Sequence, residues 1–461
     1  MQPTVKSCVE EWKSLPWKKF EKVIFRLQHR IYKAFQNKDY NLVNRLQRCL
    51  ANSRAGKYLS IRKVTQLNTR KKMASIDGVS ELGPKERLNL LQEISKLQGY
   101  KHSKLRRVWI PESNGEKRPF GVPTIKDRVV QNIIKTILEP VYEAHASKGS
   151  YGLRSAISSW EIQKNIFNKL NSRCSGYEKS ILELNIEKCF GRINYNKLMS
   201  MVILPQNLKS IVWSTLKAGV LNERPRTTKD IPQYGIISPL LCNIVLNGIE
   251  DIWNYKQGIG RYKGIMLHRD KGCGQRGLRY ADNMIFFLKP EEDAQELRKL
   301  IDKFLSERGL NIKEAKTRLV KSTEGFDFLD WHFRVKAKNN KFLSYPSRAN
   351  RKNMIKKIKE TIRDSRFTLD ERLKKVNIIY KRWADYHKYT NLDQVNIWSI
   401  RKWVFAYAKK LVIKYTRSSR KLAKKILLEK IRNVIHRTPY TANKFIALKD
   451  NNSIYCNNWI Y

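Results

Sequence analysis

Arg279-Tyr280-Ala281-Asp282-Asn283-Met284, followed by the apolar run Ile285-Phe286-Phe287-Leu288, is the stretch whose reading decides the fold. A polar pair set between two short apolar runs marks a β-hairpin, and this turn presents acid and amide side chains at its tip. Nucleotidyl transfer uses two divalent cations about 4 Å apart, held on carboxylates from adjacent strands, because attacking and leaving oxygens both need stabilising. Four residues of this form also arise by coincidence in a basic protein, so the neighbouring sequence decides the matter.

Upstream lies Ile181–Phe190 (ILELNIEKCF), an apolar strand with Asn185 near its end. Between the two sits Pro232-Gln233-Tyr234-Gly235-Ile236-Ile237-Ser238-Pro239-Leu240-Leu241. Downstream come Glu307-Arg308-Gly309-Leu310-Asn311 through Lys316-Thr317, then Phe326–Phe333 (FDFLDWHF). In this order the blocks resemble those of reverse transcriptases, whose turn reads Tyr-Ala-Asp-Asp and whose middle block reads P-Q-G-G-I-I-S-P-L-L. Leu27–Ala34 (LQHRIYKA), Val64–Asn68 (VTQLN), Ile76-Asp77-Gly78 and Val122–Gln131 (VPTIKDRVVQ) narrow the resemblance to group II intron-encoded proteins over residues 12–345. Ile378–Tyr389 (IIYKRWADYHKY) is similar to the G-W-A-N-Y-Y segment of their maturase, or X, domain.

The resemblance implies an α+β chain: a right-hand fold of fingers and palm, then an all-helical thumb or X domain. The expected divisions are a basic helical RNA-binding segment at 1–75, fingers and palm at 76–345, thumb at 346–435 and an unassigned tail at 436–461. The family's three metal-binding aspartates fall on Asn185, Asp282 and Asn283. An amide oxygen brings no charge, so only weak metal binding at Asp282 and negligible polymerisation are expected. Glu183 and Glu187 share a strand face with Asn185 but stand about 7 Å along it, too far to substitute readily. Tyr234 replaces the first glycine of the middle block, where backbone would approach a primer terminus.

Composition points the same way. The 461 residues are 41% hydrophobic, enough for sizeable cores, yet carry a formal charge of +52 from 93 Lys and Arg against 41 Asp and Glu. Such a chain calls for a polyanion, and nucleic acid serves better than a membrane, because no run of about 18 apolar residues exists. The cysteines number seven, are scattered and form no C-x2-C pair, which suggests a reducing compartment with neither disulfide framework nor zinc. No paired cysteines follow for an H-N-H endonuclease. The N-terminus has no apolar signal core and carries Glu10 and Glu11, unlike a transit peptide. Abundant Lys, Asn, Ile and Tyr suggest an AT-rich organellar gene, plastid before mitochondrion, with bacterial cytoplasm as the alternative.

Periodicity supplies the elements. Phe20, Val23, Ile24, Leu27, Ile31, Ala34 and Phe35 predict an amphipathic helix with a basic outer face, and Arg107 to Val122 a hairpin turning at Ser113-Asn114-Gly115. Strands at Ser180–Ile186, Met284–Leu288 and Phe326–Phe333 alternate with helices near 129–138 and 291–306, and the chain is helical from Arg348 to about 435. The function implied is an RNA-binding maturase that stabilises a group II intron ribozyme, gripping domain IV with the N-terminal segment and the catalytic core with the X domain. The protein itself needs no cofactor, since Mg2+ belongs mainly to the RNA. Expected contacts are Arg62, Lys63, Lys126, Arg128, Arg348, Arg351, Lys352, Lys381, Arg382 and Arg401, with Trp383, Tyr386 and His387 as stacking or scaffold residues. Each such cation is, on its own, as readily a solvated charge. The alternatives are an active intron reverse transcriptase and a general RNA chaperone; the introns served and the oligomeric state stay open.

Overall fold

Spacing of apolar residues winds the first part of the chain into helices α1 (Val5–Ser14), α2 (Trp17–Gln36), α3 (Tyr40–Asn52) and α4 (Arg54–Arg62). A π-helical turn at Lys63–Leu67 and helix α5 (Pro84–Glu93) follow. This is a computed structural model that describes residues 5–67, 74–111, 117–155, 157–187, 189–221, 235–253, 259–262, 265–268, 276–391, 406–410, 412–414 and 421–422. Asp39 and Ser53 cap α3 and α4 by accepting from the amides of Leu42 and Gly56. The buried stripe of α2 is Ile24, Gln28, Ile31 and Ala34, whereas Val23, expected inside, is 37% exposed. Gln28 takes that inner position because its amide donates to the Thr136 carbonyl at 3.0 Å.

Strands β1 (Arg106–Pro111) and β2 (Lys117–Val122) pair antiparallel with Trp109 opposite Pro119. The turn expected at Ser113–Gly115 lies outside the described residues. Helix α6 (Ile125–His145), capped by Thr124, packs against α2 and runs well beyond the expected 129–138. Then come α7 (Ser159–Leu170), β3 (Ser180–Asn185), α8 (Cys189–Arg192), α9 (Tyr195–Met201), α10 (Gln206–Leu216) and α11 (Ser238–Leu246). Strands β4 (Ile259–Tyr262) and β5 (Ile265–His268) form a second hairpin. Next are β6 (Gly277–Tyr280), β7 (Asn283–Leu288), α12 (Ala294–Ser306) and β8 (Arg318–Lys321).

The central sheet has order β6-β7-β3-β8 and is antiparallel throughout. Alternation along its strands gives it two cores. Leu182, Leu184, Met284 and Phe286 join the larger core with α6 and α9 to α12. Ile181, Ile285 and Phe287 face the other way, onto Ile162, Ile166 and Leu170 of α7 and onto Trp331 and Phe333. Burial on both faces is why Met284–Leu288 reads as an unbroken apolar run.

Phe326–Phe333, expected as one strand, is a hairpin. Strand β9 (Phe326–Phe328) turns at Leu329 and Asp330, with φ of 50° and 73°, into β10 (Trp331–Lys336). Two left-handed residues make the tight turn that matches strand twist. Strand β11 (Lys341–Pro346) completes this sheet, and α13 (Arg348–Arg363) and α14 (Leu369–Tyr386) close on Met354, Ile358, Ile362, Val376, Tyr380 and Trp383. The fold is thus α+β ahead of a helical C-terminal part. Among the described residues no helix is long and apolar enough to cross a membrane.

Candidate functional site

The β6–β7 turn is the focus of the palm. Register pairs Tyr280 with Asn283 and Asn185 with Asn283, so β3 brings Asn185 beside the turn, as the strand pattern requires. Ala281 holds a left-handed φ of 57°, a conformation that a Cβ makes unfavourable by about 1 kcal/mol. Two neighbours keep it there. The backbone of Gly152 presses so closely that an added Cβ would lie 2.2 Å from the Ala281 nitrogen. Arg279, with no exposed surface, bonds Glu250 at 2.5 Å, Asn243 and Ser150 at 2.8 Å, and the Ala281 carbonyl at 3.2 Å. Burial opposes its charge, but Glu250 beside it raises its pKa above the ordinary value, so it stays cationic. Sequence reasoning missed Arg279 and Glu250, because among 93 basic residues nothing marks one that is buried.

At the tip, the Asn185 amide donates to Asn283 Oδ1 at 2.8 Å, and the Asn283 amide faces Asp282 Oδ1 at 3.4 Å. The bonds run one way, from Asn185 through Asn283 to Asp282. The carboxylates that could compensate are engaged: Glu183 with Arg318 at 2.7 Å, Glu187 with Arg192 at 2.8 Å. Burial pushes the Glu183 carboxyl above the usual range, against the pull of Arg318. Beneath the turn, Cys189 and Cys242 are buried with sulfurs 3.1 Å apart. The donor set does not fit two divalent cations, since one carboxylate and two neutral amides, one donating to the other, bring too little charge. Among the described residues no cluster of three His, Cys, Asp or Glu side chains offers a metal site.

The expected RNA contacts divide. Arg348, Lys352, Lys381 and Arg382 are exposed and Arg351 half-exposed on α13 and α14. Lys126 is half-buried and 2.8 Å from Glu93. Arg62 lies 4.5 Å above the Trp17 ring and 3.7 Å from Glu21, while Lys63 lines a cavity of about 70 Å3 with Asn132, Lys135 and Glu139. Arg401 lies outside the described residues, as does Tyr234.

Of the expected contacts, Arg128 needs correction, and the three aromatic residues take the scaffold side of the stacking-or-scaffold expectation. Arg128 is buried, donating Nε to the Pro123 carbonyl at 2.9 Å. His387 and Trp383 are buried and both donate to Asn350 Oδ1, at 3.0 and 2.6 Å. Tyr386 stacks on Trp331 with centroids 4.6 Å apart, and its hydroxyl donates to the Leu329 carbonyl. Trp160 Nε1 donates to the Tyr386 carbonyl at 2.9 Å. The three aromatic residues are thus the joint between thumb and palm, a scaffold whose faces are already filled. Trp109 was passed over: it is 56% exposed on the basic β1–β2 hairpin, with Arg107 5.9 Å from its ring.

Fold and turn together define a protein built on a polymerase palm. Residues 110–346 match the family described as reverse transcriptase (RNA-dependent DNA polymerase), and residues 12–94 match the N-terminal domain of reverse transcriptase. The chain belongs to the reverse transcriptase family. Within it, the chain is similar to Maturase-like protein 1 of Euglena gracilis, 29% identical over 402 residues, covering 86% of this chain and 82% of that one. Maturase-like protein 1 of Euglena longa is 29% identical over 385 residues, covering 83% and 79%. Group II intron-encoded protein LtrA of Lactococcus lactis subsp. cremoris is 31% identical over 180 residues, which is 38% of this chain and 28% of that protein.

Proposed function

We propose that this chain is an RNA-binding maturase that assists the splicing of group II introns and no longer polymerises. The observation that carries this reading is the Asn185–Asn283 bond inside a palm whose Arg279–Glu250 support is intact. The frame is kept, while two of the three positions that would hold catalytic cations are neutral amides joined by a hydrogen bond. Similarity to maturase-like and group II intron-encoded proteins supports the RNA class. On this reading the ribozyme performs transesterification with its own Mg2+, and the protein's cations offset phosphate repulsion. Arg348, Arg351, Lys352, Lys381 and Arg382 contact phosphates of the intron core, and the N-terminal helices grip domain IV. Trp109 offers a flat ring to an unpaired base. The residue bias of the chain supports an organellar gene, with the plastid as first choice.

The test uses the purified full chain with a group II intron precursor at low Mg2+, and in parallel a primed RNA template. The expected result is faster splicing, no primer extension, and Asp282→Ala indistinguishable from the parent in both. Primer extension abolished by Asp282→Ala would establish an active polymerase instead. No splicing effect, with equal affinity for an unrelated structured RNA, would reduce the protein to a general RNA binder.

A further inference from the structure

Helix α2 is charged against its own preferences. Lys19, Lys22, Arg26, Arg30 and Lys33 recur every three or four residues and all are exposed, so at about 3.6 residues per turn they stand within about 80° of the helix circumference. They make one straight ridge about 21 Å long. The packed stripe, Ile24, Gln28, Ile31 and Ala34, lies on the opposite side, which turns the ridge away from the molecule.

Among the described residues no carboxylate pairs with any of the five. Glu21, the one acid of the helix, faces Arg62 at 3.7 Å instead. Six Lys and Arg against one acid on α2 stand well above the 93 against 41 of the whole chain. Other exposed helix cations have an acid four residues on, as in Arg298–Asp302 and Lys356–Glu360. Here the residues four apart are Lys22, Arg26 and Arg30, and like charges at that spacing destabilise a helix. Lys18 and Lys19 in the first turn also oppose the helix dipole. A ridge that weakens the free helix is matched by a polyanion lying along it.

The ridge also distinguishes between polyanions. Single strands are held on aromatic platforms, with bases stacked on rings. No ring stands on this ridge, and the neighbouring Trp17 and Phe20 are packed on Trp12 and Tyr58, with centroids 5.1 and 5.4 Å apart. A straight row of cations alone suits a stiff double helix, whose phosphates keep their places without any base being held.

We propose that the outer ridge of α2 docks a double-helical arm of RNA along its phosphate backbone, without reading its sequence. The inference rests on the RNA-binding reading above and gives the N-terminal part of that surface its residues and its ligand class.

The test measures anisotropy of two RNA duplexes of about 16 base pairs and unrelated sequence, and of one separated strand, with the full chain between about 50 and 200 mM salt. The parent is expected to bind both duplexes alike. The triple variant Lys22→Gln, Arg26→Gln, Arg30→Gln should lose up to about 3 from the log–log salt slope for the duplexes and less than about 1 for the strand. Its melting temperature should stay the same or rise, because neighbouring like charges are gone. Should it melt lower, Arg26→Gln alone decides the matter, with an expected loss of about 1 from the duplex slope. An unchanged duplex slope would overturn this inference and leave the RNA-binding reading standing. An equal loss for the strand would overturn the double helix as ligand, and a clear preference between the two duplexes would overturn backbone docking. Absence of any RNA binding would overturn the function proposed above and this inference with it.

Discussion

Arg279 shows how much one buried side chain carries in this palm. Its guanidinium ties Glu250, Asn243, Ser150 and the Ala281 carbonyl into a single knot under the turn. Arg279→Met leaves Glu250 buried without its cation, and is expected to destabilise the fold by about 3–5 kcal/mol in denaturant titration. A loss under 1 kcal/mol would mean that the ion pair is dispensable. At the tip, Asn185→Ala should lower stability by only about 1 kcal/mol, the worth of one hydrogen bond, with RNA affinity unchanged. The positions of Asn185, Asp282 and Asn283 were legible in the sequence because the apolar runs around them fix register. That the two amides bond each other was not, since a linear pattern does not say which side chains face across strands.

At the scale of elements, the joint between α14 and the β9–β11 sheet is where packing decides between the stacking and scaffold roles expected of Trp383, Tyr386 and His387. Nothing in the sequence said that Tyr386 would stack on Trp331 and accept from Trp160, or that Trp383 and His387 would share Asn350. The hairpin at Leu329-Asp330 was likewise hidden, because neither residue is one of the glycines that usually announce a left-handed turn. Around the turn, β3, β7, α6 and α12 were legible from their apolar patterns, whereas β6, β8 and α8 to α11 were not read.

Burial holds His387 far down, at about 3 against 6.5, so the imidazole is neutral in the fold. Below pH 6.5 the unfolded chain takes a proton that the folded one refuses until about pH 3, so stability falls with pH across that window. The limiting slope is about 1.4 kcal/mol per pH unit. Thermal melts between pH 7.5 and 5 should therefore show a smaller drop for His387→Gln than for the parent; parallel curves would contradict the assignment.

For the whole molecule, a charge of +52 on 461 residues makes affinity for RNA an electrolyte effect. Each phosphate contact removed should lower the log–log salt slope by roughly 1. The triple variant Lys352→Ala, Lys381→Ala, Arg382→Ala is thus expected to lose up to about 3 from the slope with its melting temperature unchanged. An unchanged slope would place the RNA on another face. The sum of charge was plain from composition, whereas its distribution was not: folding withdraws Arg128 and Arg279 from the surface and leaves α13 and α14 as a basic face over an apolar stripe.

The most direct measurement recovers the tagged protein from its own compartment after crosslinking and sequences the RNA that comes with it. The account predicts strong enrichment of one or a few group II introns, with crosslinks peaking in domain IV and the core; a flat profile that follows transcript abundance would contradict it.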